Sequence, residues 1–162
     1  MITNLYKEEY NNVSFSRAVT TTFMDPNFSN YLGTVQSGEM MKIMDNMAGV
    51  VAYKHAKGVV VTARVDEVLF YKPLILGELV TCIGQLIYVG KSSMQVMVNL
   101  VIHDINNYSN PETAASALFT MVHLVDSKPA RVPQLIASTK EEEELYILGE
   151  KVYKQIKSKH LK

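Results

Sequence analysis

The sequence predicts an α+β fold in which an antiparallel sheet of five strands wraps around one long central helix. The first observation is the order of the predicted elements, which is β–α–β–β–β–β–α. The second is that the four strands after the helix follow one another through short connections, as in an antiparallel sheet. The third is that the central helix is apolar on nearly all sides and needs cover on more than one face. One small sheet offers too little cover, so we expect two copies whose sheets join edge to edge.

The first strand and the central helix follow from patterns in the N-terminal third of the chain. Residues 13–23 place apolar and β-branched side chains on one parity, which predicts a strand. The stretch 24–34 contains Pro, Gly and Asn residues and predicts a loop. The helix is predicted from Ser37 to Lys57, with Gly58 as the residue that ends it and basic residues in its last turn, where they suit the helix dipole.

Four strand-like segments follow the helix, and glycine, proline or polar turns separate them. Gly90, Lys91 and Ser92 form a connection short enough for a hairpin, and residues 106–112 form the polar tip of a longer one. The segments are 59–73, 77–90, 92–105 and 113–126.

The C-terminal segment 138–162 predicts a charged amphipathic helix, as an extension of a single domain that spans residues 1–162. Thr139 and Glu142 have the spacing of a capping box, and acidic residues precede basic ones along the helix. A narrow apolar stripe is formed by Leu145, Leu148, Val152 and Ile156.

Composition and charge argue against several functional classes. Of the 162 residues 48% are hydrophobic, and 16 basic residues balance 16 acidic ones. Balanced charge gives no electrostatic basis for binding nucleic acid or an anionic membrane surface. The N-terminal stretch MITNLYKEEYNN lacks the apolar core of a signal peptide, and the single cysteine, Cys82, excludes an internal disulfide. We therefore expect a cytoplasmic protein.

Metal and nucleotide chemistry is not expected either. The chain contains no metal-ligand, P-loop or dinucleotide-binding motif. His55, His103 and His123 are expected at the surface or on strands, without ligand spacing. The sequence therefore predicts neither a metal site nor a cofactor.

Asp45 is the residue that points to chemistry, because it lies in the middle of the apolar helix. A carboxylate there costs free energy unless something compensates for it. The free N–H groups at the helix start, near Gly38, favour developing negative charge. Gly38 and Asp45 share nearly one face of the helix and lie about 10 Å apart along its axis. That separation suits the helix start of a second copy better than its own.

Four stretches carry motifs in one register over residues 15–137. They are NYLGTVQSGEMMKIMDNMAGVVA, VVTARVDEVLFYKPLILGELV, VGKSSMQVMV and ASALFTMVHLVDSKPARVPQL. Together they resemble the acyl-CoA thioesterases of the cytosolic acyl-CoA hydrolase type, which include the bacterial YciA group and have the hot-dog fold. The first stretch resembles the family's asparagine loop and its Met-Asp-x-x-Ala-Gly helix, and the third resembles its CoA-contacting turn.

The resemblance implies hydrolysis of fatty acyl-CoA to the free fatty acid and CoA, with no cofactor beyond the CoA of the substrate. It implies a homodimer, commonly assembled further into a trimer of dimers. It also implies a catalytic pair formed by Asn30 in the loop before the helix and Asp45 within the helix. In the family the two residues of this pair come from opposite subunits.

Within that mechanism each candidate residue has an expected role. The N–H of Gly38 would stabilise the oxyanion, Asn30 would orient the water or the carbonyl, and Asp45 would be a general base or a nucleophile. Thr62 would face the thioester from the neighbouring strand. CoA would be bound by Arg64, Gly90, Lys91, Ser92 and Ser93, and the acyl tunnel would be lined or filled by Met40, Met41, Met44, Met47 and Phe70.

Three other interpretations remain open at this stage. A hot-dog dehydratase or hydratase would need a positioned histidine, and the helix holds only His55, at its far end. The others are a non-catalytic acyl-CoA sensor and a β-rich interaction domain. One position departs from the family pattern, since Ser37-Gly38 stands where a Gly-Gly pair is usual. Ser37 would either alter the loop geometry slightly or act as the N-cap.

Overall fold

The computed structural model describes residues 11–159, and the statements below concern that part of the chain. The predicted N-terminal stretch up to residue 10 and the predicted helix end at 160–162 lie outside it. The helices are α1 (Val13–Ser16), α2 (Ser37–Ala56) and α3 (Lys140–Lys159), with a short 3-10 turn at Pro26–Phe28. The strands are β1 (Ala18–Phe23), β2 (Val60–Phe70), β3 (Leu79–Val89), β4 (Ser93–Ile102), β5 (Glu112–Val125) and β6 (Lys128–Pro129).

The five main strands form one antiparallel sheet in the order β1-β3-β4-β5-β2. The two-residue strand β6 pairs with the end of β5. This confirms the predicted five-stranded sheet and adds one short strand to it. β1 and β2 are the two edges of the sheet, and β2 carries irregular pairing at two places, between Thr62 and Arg64 and between Asp66 and Leu69. The second irregularity contains Glu67, which has a left-handed backbone with φ 50°.

The central helix α2 begins and ends almost where the sequence predicts. Its N-cap is Gln36, and the cap makes no side-chain hydrogen bond. Ser37 is the first helical residue, so its predicted role as N-cap is wrong. At the other end Lys57, rather than Gly58, adopts the left-handed conformation, with φ 54°, and its N–H bonds to the carbonyl of Tyr53.

Residues 13–16 form the short helix α1 and β1 begins only at Ala18, so the strand predicted over 13–23 is wrong for its first five residues. Ser16 donates its hydroxyl to the carbonyl of Val13 at 3.2 Å, which closes a turn locally. Both residues are buried, and the N–H of Val13 bonds to the carbonyl of Ile136. The burial of Val13 and Ser16, three residues apart, and the hydrogen bond from Val13 to the distant Ile136 favour a helical turn here. These contacts outweigh the local preference for a strand.

The core lies between α2 and the inner face of the sheet. A Cβ on Gly84 of β3 would meet Met47 Cγ at 2.6 Å and Val51 Cγ2 at 2.9 Å, so a side chain at this position would push α2 away from the sheet. The helix face that packs here consists of the buried residues Met40, Met44, Met47, Ala48, Val51 and Ala52.

Helix α3 packs on β3. The rings of Tyr146 and Tyr153 each lie 5.1 Å from the ring of Tyr88. Gly149 is buried, and a Cβ there would meet Tyr88 Cβ at 2.7 Å. The predicted capping box is confirmed, because the N–H of Glu142 donates to the Thr139 hydroxyl at 3.2 Å and the Glu142 carboxylate accepts from the N–H of Thr139 at 3.3 Å.

His55 is fully buried near the end of α2, so its predicted surface position is wrong. One ring nitrogen, Nε2, lies 2.8 Å from the carbonyl oxygen of Pro133, while Nδ1 is buried and has no hydrogen-bond partner among the described residues. Burial lowers the pKa of the His55 ring, the charge of Lys57 lowers it further, and the Pro133 carbonyl opposes both effects. The neutral ring therefore fastens the connector before α3 to α2.

We expect the free energy of unfolding to fall as the pH drops below the ordinary histidine pKa of 6.5. The unfolded chain then binds a proton that the folded chain, with its lowered His55 pKa, takes up less readily, so stability rises with pH across this range. Urea unfolding between about pH 7.5 and pH 5 measures the effect. His55→Gln should flatten the profile, and His103→Gln serves as the matched control. Parallel profiles for the wild type and His55→Gln would contradict this assignment.

Candidate active site

Asp45 and Thr62 are brought together where α2 crosses the start of β2. The Thr62 hydroxyl donates to Asp45 Oδ1 at 2.6 Å, and the same hydroxyl lies 3.5 Å from Met121 Sδ. Thr62 is opposite Met121 in the sheet, on the side that faces α2. Because β2 is an edge strand, nothing in the described chain covers Asp45 from the far side, and its carboxylate is exposed. The structure thus gives Asp45 a fixed orientation in an accessible position.

A groove of about 610 Å³ runs along α2 from this pair. Its wall is mainly apolar, with Asn46 and Lys54 as its other polar members. The apolar members are Gly49, Val50, Tyr53, Val59, Val60 and Met121.

The predicted tunnel residues do not line this groove. Met40, Met44 and Met47 are buried against the sheet and fill the core instead. Phe70 and Met40 line a different cavity, beside Asn30. Within one chain Met40, Met44 and Met47 lie on the buried face of α2, and β2 at the sheet edge leaves the opposite face open. Their place in an acyl tunnel between two copies stays a prediction.

Asn30 is held by its own loop. Its Oδ1 accepts hydrogen bonds from the backbone N–H groups of Leu32 at 2.9 Å and Thr34 at 3.1 Å, and its Nδ2 donates to the Thr34 hydroxyl at 2.8 Å. Asn30 lines a cavity of about 190 Å³ together with Ser37 and residues 70–73, at the end of β2. Within one chain, Asn30 and Asp45 therefore line separate cavities at opposite ends of β2.

The start of α2 lies beside the Asn30 cavity. Within residues 11–159, the N–H groups of Ser37 and Gly38 have no hydrogen-bond acceptor, whereas those of Glu39 and Met40 bond to the carbonyl of Gln36. A helix start with free N–H groups attracts negative charge. The predicted oxyanion donor Gly38 follows Ser37, which lines the Asn30 cavity, and Gly38 does not line the groove beside Asp45 of its own chain.

The predicted CoA residues are not brought into the Asp45 groove. Arg64 forms an ion pair with Asp66, with 2.7 Å between Nε and Oδ1. The hairpin turn Gly90–Ser93 packs against α3, since a Cβ on Gly90 would meet the Tyr153 hydroxyl at 2.9 Å. Ser93 and Val61 are both opposite Val122, so the turn lies roughly 10 Å from the start of β2, two strand spacings across the sheet.

Residues 11–159 contain neither a metal-ligand cluster nor a helix suited to span a membrane. No group of three His, Cys, Asp or Glu side chains lies in a position to hold a metal ion. No helix in this range combines the length and the apolar character that a membrane-spanning helix requires.

Comparison with known proteins places the chain in a family. A model of the thioesterase superfamily matches residues 32–107. The structure superposes on an acyl-CoA hydrolase of Staphylococcus aureus, solved with butyryl-CoA and CoA, with a TM-score of 0.86 and 30% identity, covering 93% of this chain and 92% of that one. The chain belongs to the acyl-CoA thioesterases of the hot-dog superfamily. This membership confirms the predicted fold and family.

Two further relatives are similar to this chain. A hexameric acyl-CoA thioesterase, solved without ligand, has a TM-score of 0.85 and 30% identity, over 92% of this chain and 96% of that one. The cytosolic acyl-CoA thioester hydrolase of rat is 36% identical over 154 residues, which are 93% of this chain. The chain spans only 40% of the length of that rat protein. The S. aureus enzyme has also been solved with an aspartate, an asparagine and a threonine each replaced by alanine.

Of the ten residues that line the groove, only Asp45 and Thr62 were predicted as site residues; Gly49, Tyr53 and Met121 are among the eight that were not. Gly49 and Tyr53 follow Asp45 by one and two helical turns and therefore share its face, so their spacing held the necessary signal. Met121 had no such signal, because its place depends on the register between β2 and β5.

Proposed function

We propose that this protein hydrolyses fatty acyl-CoA to the free fatty acid and CoA in the cytosol, without a further cofactor. The observation that carries the proposal is the Asp45 carboxylate, held by Thr62 at the end of an apolar groove. A carboxylate in this setting can act on an ester carbonyl whose hydrocarbon tail lies in the groove. The S. aureus relative was solved with butyryl-CoA and CoA, which is consistent with such a substrate.

The reaction adds the oxygen of water to the thioester carbonyl carbon and breaks the bond from that carbon to sulfur. Thr62 occupies Asp45 Oδ1 and leaves Oδ2 free to take a proton from the attacking water. The CoA thiolate leaves and is protonated. Alternatively, Oδ2 attacks the carbonyl itself, and water then hydrolyses the resulting anhydride.

The second half of the site comes from another copy of the chain. The Asp45 groove lies at the start of β2, and the Asn30 cavity lies at its end. If two copies pair antiparallel through β2, the start of one strand lies beside the end of the other. Asp45 of each copy then meets Asn30 and the free N–H of Gly38 from its neighbour, and both copies gain a complete site.

The edge of the sheet has the surface that such a pairing needs. Val61, Leu69 and Phe70 on β2 are 41%, 48% and 46% exposed. An apolar area of this kind beside an unpaired strand edge is a feature of interfaces. We therefore propose a homodimer through β2, and the hexameric relative supports a trimer of such dimers.

The relatives support the residue assignment as well. In the S. aureus hydrolase the asparagine, aspartate and threonine that were replaced by alanine are separated by the same sequence intervals as Asn30, Asp45 and Thr62. For the CoA portion we propose contacts from Arg64, Gly90, Lys91, Ser92 and Ser93. Arg64 lies two residues after Thr62 on β2, and the turn Gly90–Ser93 lies two strands across the sheet, because Ser93 and Val61 are both opposite Val122.

Release of free thiol from a panel of acyl-CoA esters tests the proposed function. The purified chain should release CoA from at least one ester, and Asp45→Ala should not. If both proteins bound acyl-CoA and released CoA equally slowly, the protein would be a sensor and the proposal would be overturned. Calorimetric titration with CoA provides the binding measurement in both cases.

Thr62→Val should lower kcat about ten-fold, because a hydrogen bond to a charged group contributes about 1.5–3 kcal/mol. Valine keeps the shape of threonine but cannot donate to Asp45 Oδ1, so the carboxylate loses its fixed orientation. Thr62→Ser restores the hydroxyl and should recover most of the lost rate. Equal loss in both variants would mean that the threonine methyl group matters through packing, and would contradict the positioning role.

A further inference from the structure

Gly49 lies in the middle of α2, where glycine destabilises a helix relative to alanine. Apart from Gly49 itself, its two chain neighbours and the nearby backbone of α2, no atom of the described residues lies within 4 Å of the place where a Cβ on Gly49 would be. The described chain therefore has room for a side chain at this position, and packing within the chain does not explain the glycine.

Two other glycines, Gly84 and Gly149, are explained by close packing. A Cβ on Gly84 would approach Met47 Cγ to 2.6 Å, and a Cβ on Gly149 would approach Tyr88 Cβ to 2.7 Å. Each of these glycines lets a helix lie close to the sheet. Gly49 differs from both, because its open side faces the groove that begins at Asp45.

Gly49 also has a defined position along that groove. It follows Asp45 by four residues, so the two share a face of α2 and lie about 6 Å apart along the axis. Beyond Gly49 the wall continues with Val50, Tyr53 and Val59, all at least half exposed and apolar over most of their surface. A molecule that reacts at Asp45 and extends toward Tyr53 must pass over Gly49.

We propose that the groove along α2 holds the acyl chain of the substrate and that Gly49 is the residue that lets long chains pass. This inference rests on the proposed function and assigns the substrate's hydrocarbon part to one face of one helix. The mainly apolar wall matches an alkyl chain better than the amide-rich arm of CoA, whose polar groups would find few partners there.

The length of the groove sets the expected chain length. Asp45 and Tyr53 are two turns apart, about 12 Å, which accommodates an extended chain of roughly eight to ten carbons. The corresponding distance to Gly49 accommodates roughly four to five carbons. A side chain at position 49 should therefore lower the hydrolysis of long acyl chains more than that of short ones.

The experiment compares Gly49→Ala and Gly49→Leu with the wild type on acyl-CoA esters from acetyl to palmitoyl. We expect Gly49→Leu to lower the ratio of kcat/KM for decanoyl-CoA to that for butyryl-CoA at least ten-fold, with Gly49→Ala between it and the wild type. Glu144→Leu, which adds the same side chain at an exposed position of α3, is the matched control. Gly49→Ala should also raise the melting temperature, which shows that the variant is folded.

Each other outcome overturns the inference in a recognisable way. An equal loss for all chain lengths would mean that the groove holds a part common to all substrates, such as the CoA arm. An unchanged chain-length profile together with weaker assembly in sedimentation would mean that Gly49 serves a contact between two copies of α2. In both cases the proposed function would stand. If the wild type released CoA from no ester, the proposed function would fail, and this inference with it.

Discussion

Asp45→Asn should lower kcat for acyl-CoA hydrolysis about a thousand-fold, with little change in KM. The amide has nearly the same shape as the carboxylate, and its oxygen still accepts the hydrogen bond from Thr62. It can neither take a proton from water nor attack the thioester. The loss therefore falls on the chemical step and leaves the binding groove unchanged. Steady-state thiol release at saturating and limiting substrate separates the two parameters.

Glu144→Gln removes one negative charge from an exposed position of α3 and is the matched control for this substitution. It should leave kcat within about two-fold of the wild type, as distant surface charges contribute little. Residual activity above about a tenth of the wild type in Asp45→Asn would contradict a chemical role for Asp45.

A single turnover of the wild type in water labelled with heavy oxygen separates the general-base mechanism from the nucleophilic one. A nucleophilic Asp45 can acquire the label in its carboxylate, and a general base cannot.

Mixed dimers of Asp45→Ala and Asn30→Ala chains should recover about a quarter of the wild-type activity, although each variant alone is inactive. With random association about half of the dimers contain one chain of each kind. In such a dimer one site combines intact Asp45 with intact Asn30 from the other chain, and the second site lacks both residues. Coexpression with two different affinity tags isolates the mixed dimers and should double the recovered value.

The recovery distinguishes a shared site from a site within one chain. If Asn30 and Asp45 of the same chain worked together, no mixture of the two variants could restore a complete pair. A mixture of Asp45→Ala with the double variant Asn30→Ala, Asp45→Ala lacks Asp45 in every chain and is the negative control. Absence of recovery in confirmed mixed dimers would contradict pairing through β2.

Much of the fold can be predicted from the sequence, because the patterns that mark helices and turns are local. The bounds of α2 follow from the loop before Ser37 and the basic last turn, and both are confirmed within one residue. The errors arise where distant contacts decide the outcome. Val13–Ser16 forms a helical turn that is tied to Ile136, and His55 is buried against a carbonyl 78 residues away in the chain.

The candidate site was predictable to a similar extent. Thr62 was expected to face the thioester from the strand next to the helix, and the structure places it 2.6 Å from Asp45. The expectation that Asn30 belongs to another subunit stays a prediction, and its separate cavity agrees with it. The residues that line the groove were not predicted, because the open face of α2 depends on the sheet order. In that order β2 becomes an edge strand only once the three later strands β3, β4 and β5 have paired.

The two irregularities in β2 restrict which strand can join the open edge. A regular strand from another protein, or a slipped register of the same one, would meet an interrupted row of backbone donors and acceptors at Thr62–Arg64 and again at Asp66–Leu69. A second β2 that runs in the opposite direction carries the same two interruptions in the reverse order, so the two rows can match about a two-fold axis. In the proposed dimer this edge would accept a second β2 and hinder foreign strands and wrong registers, and it would hinder aggregation of the single chain before the dimer forms.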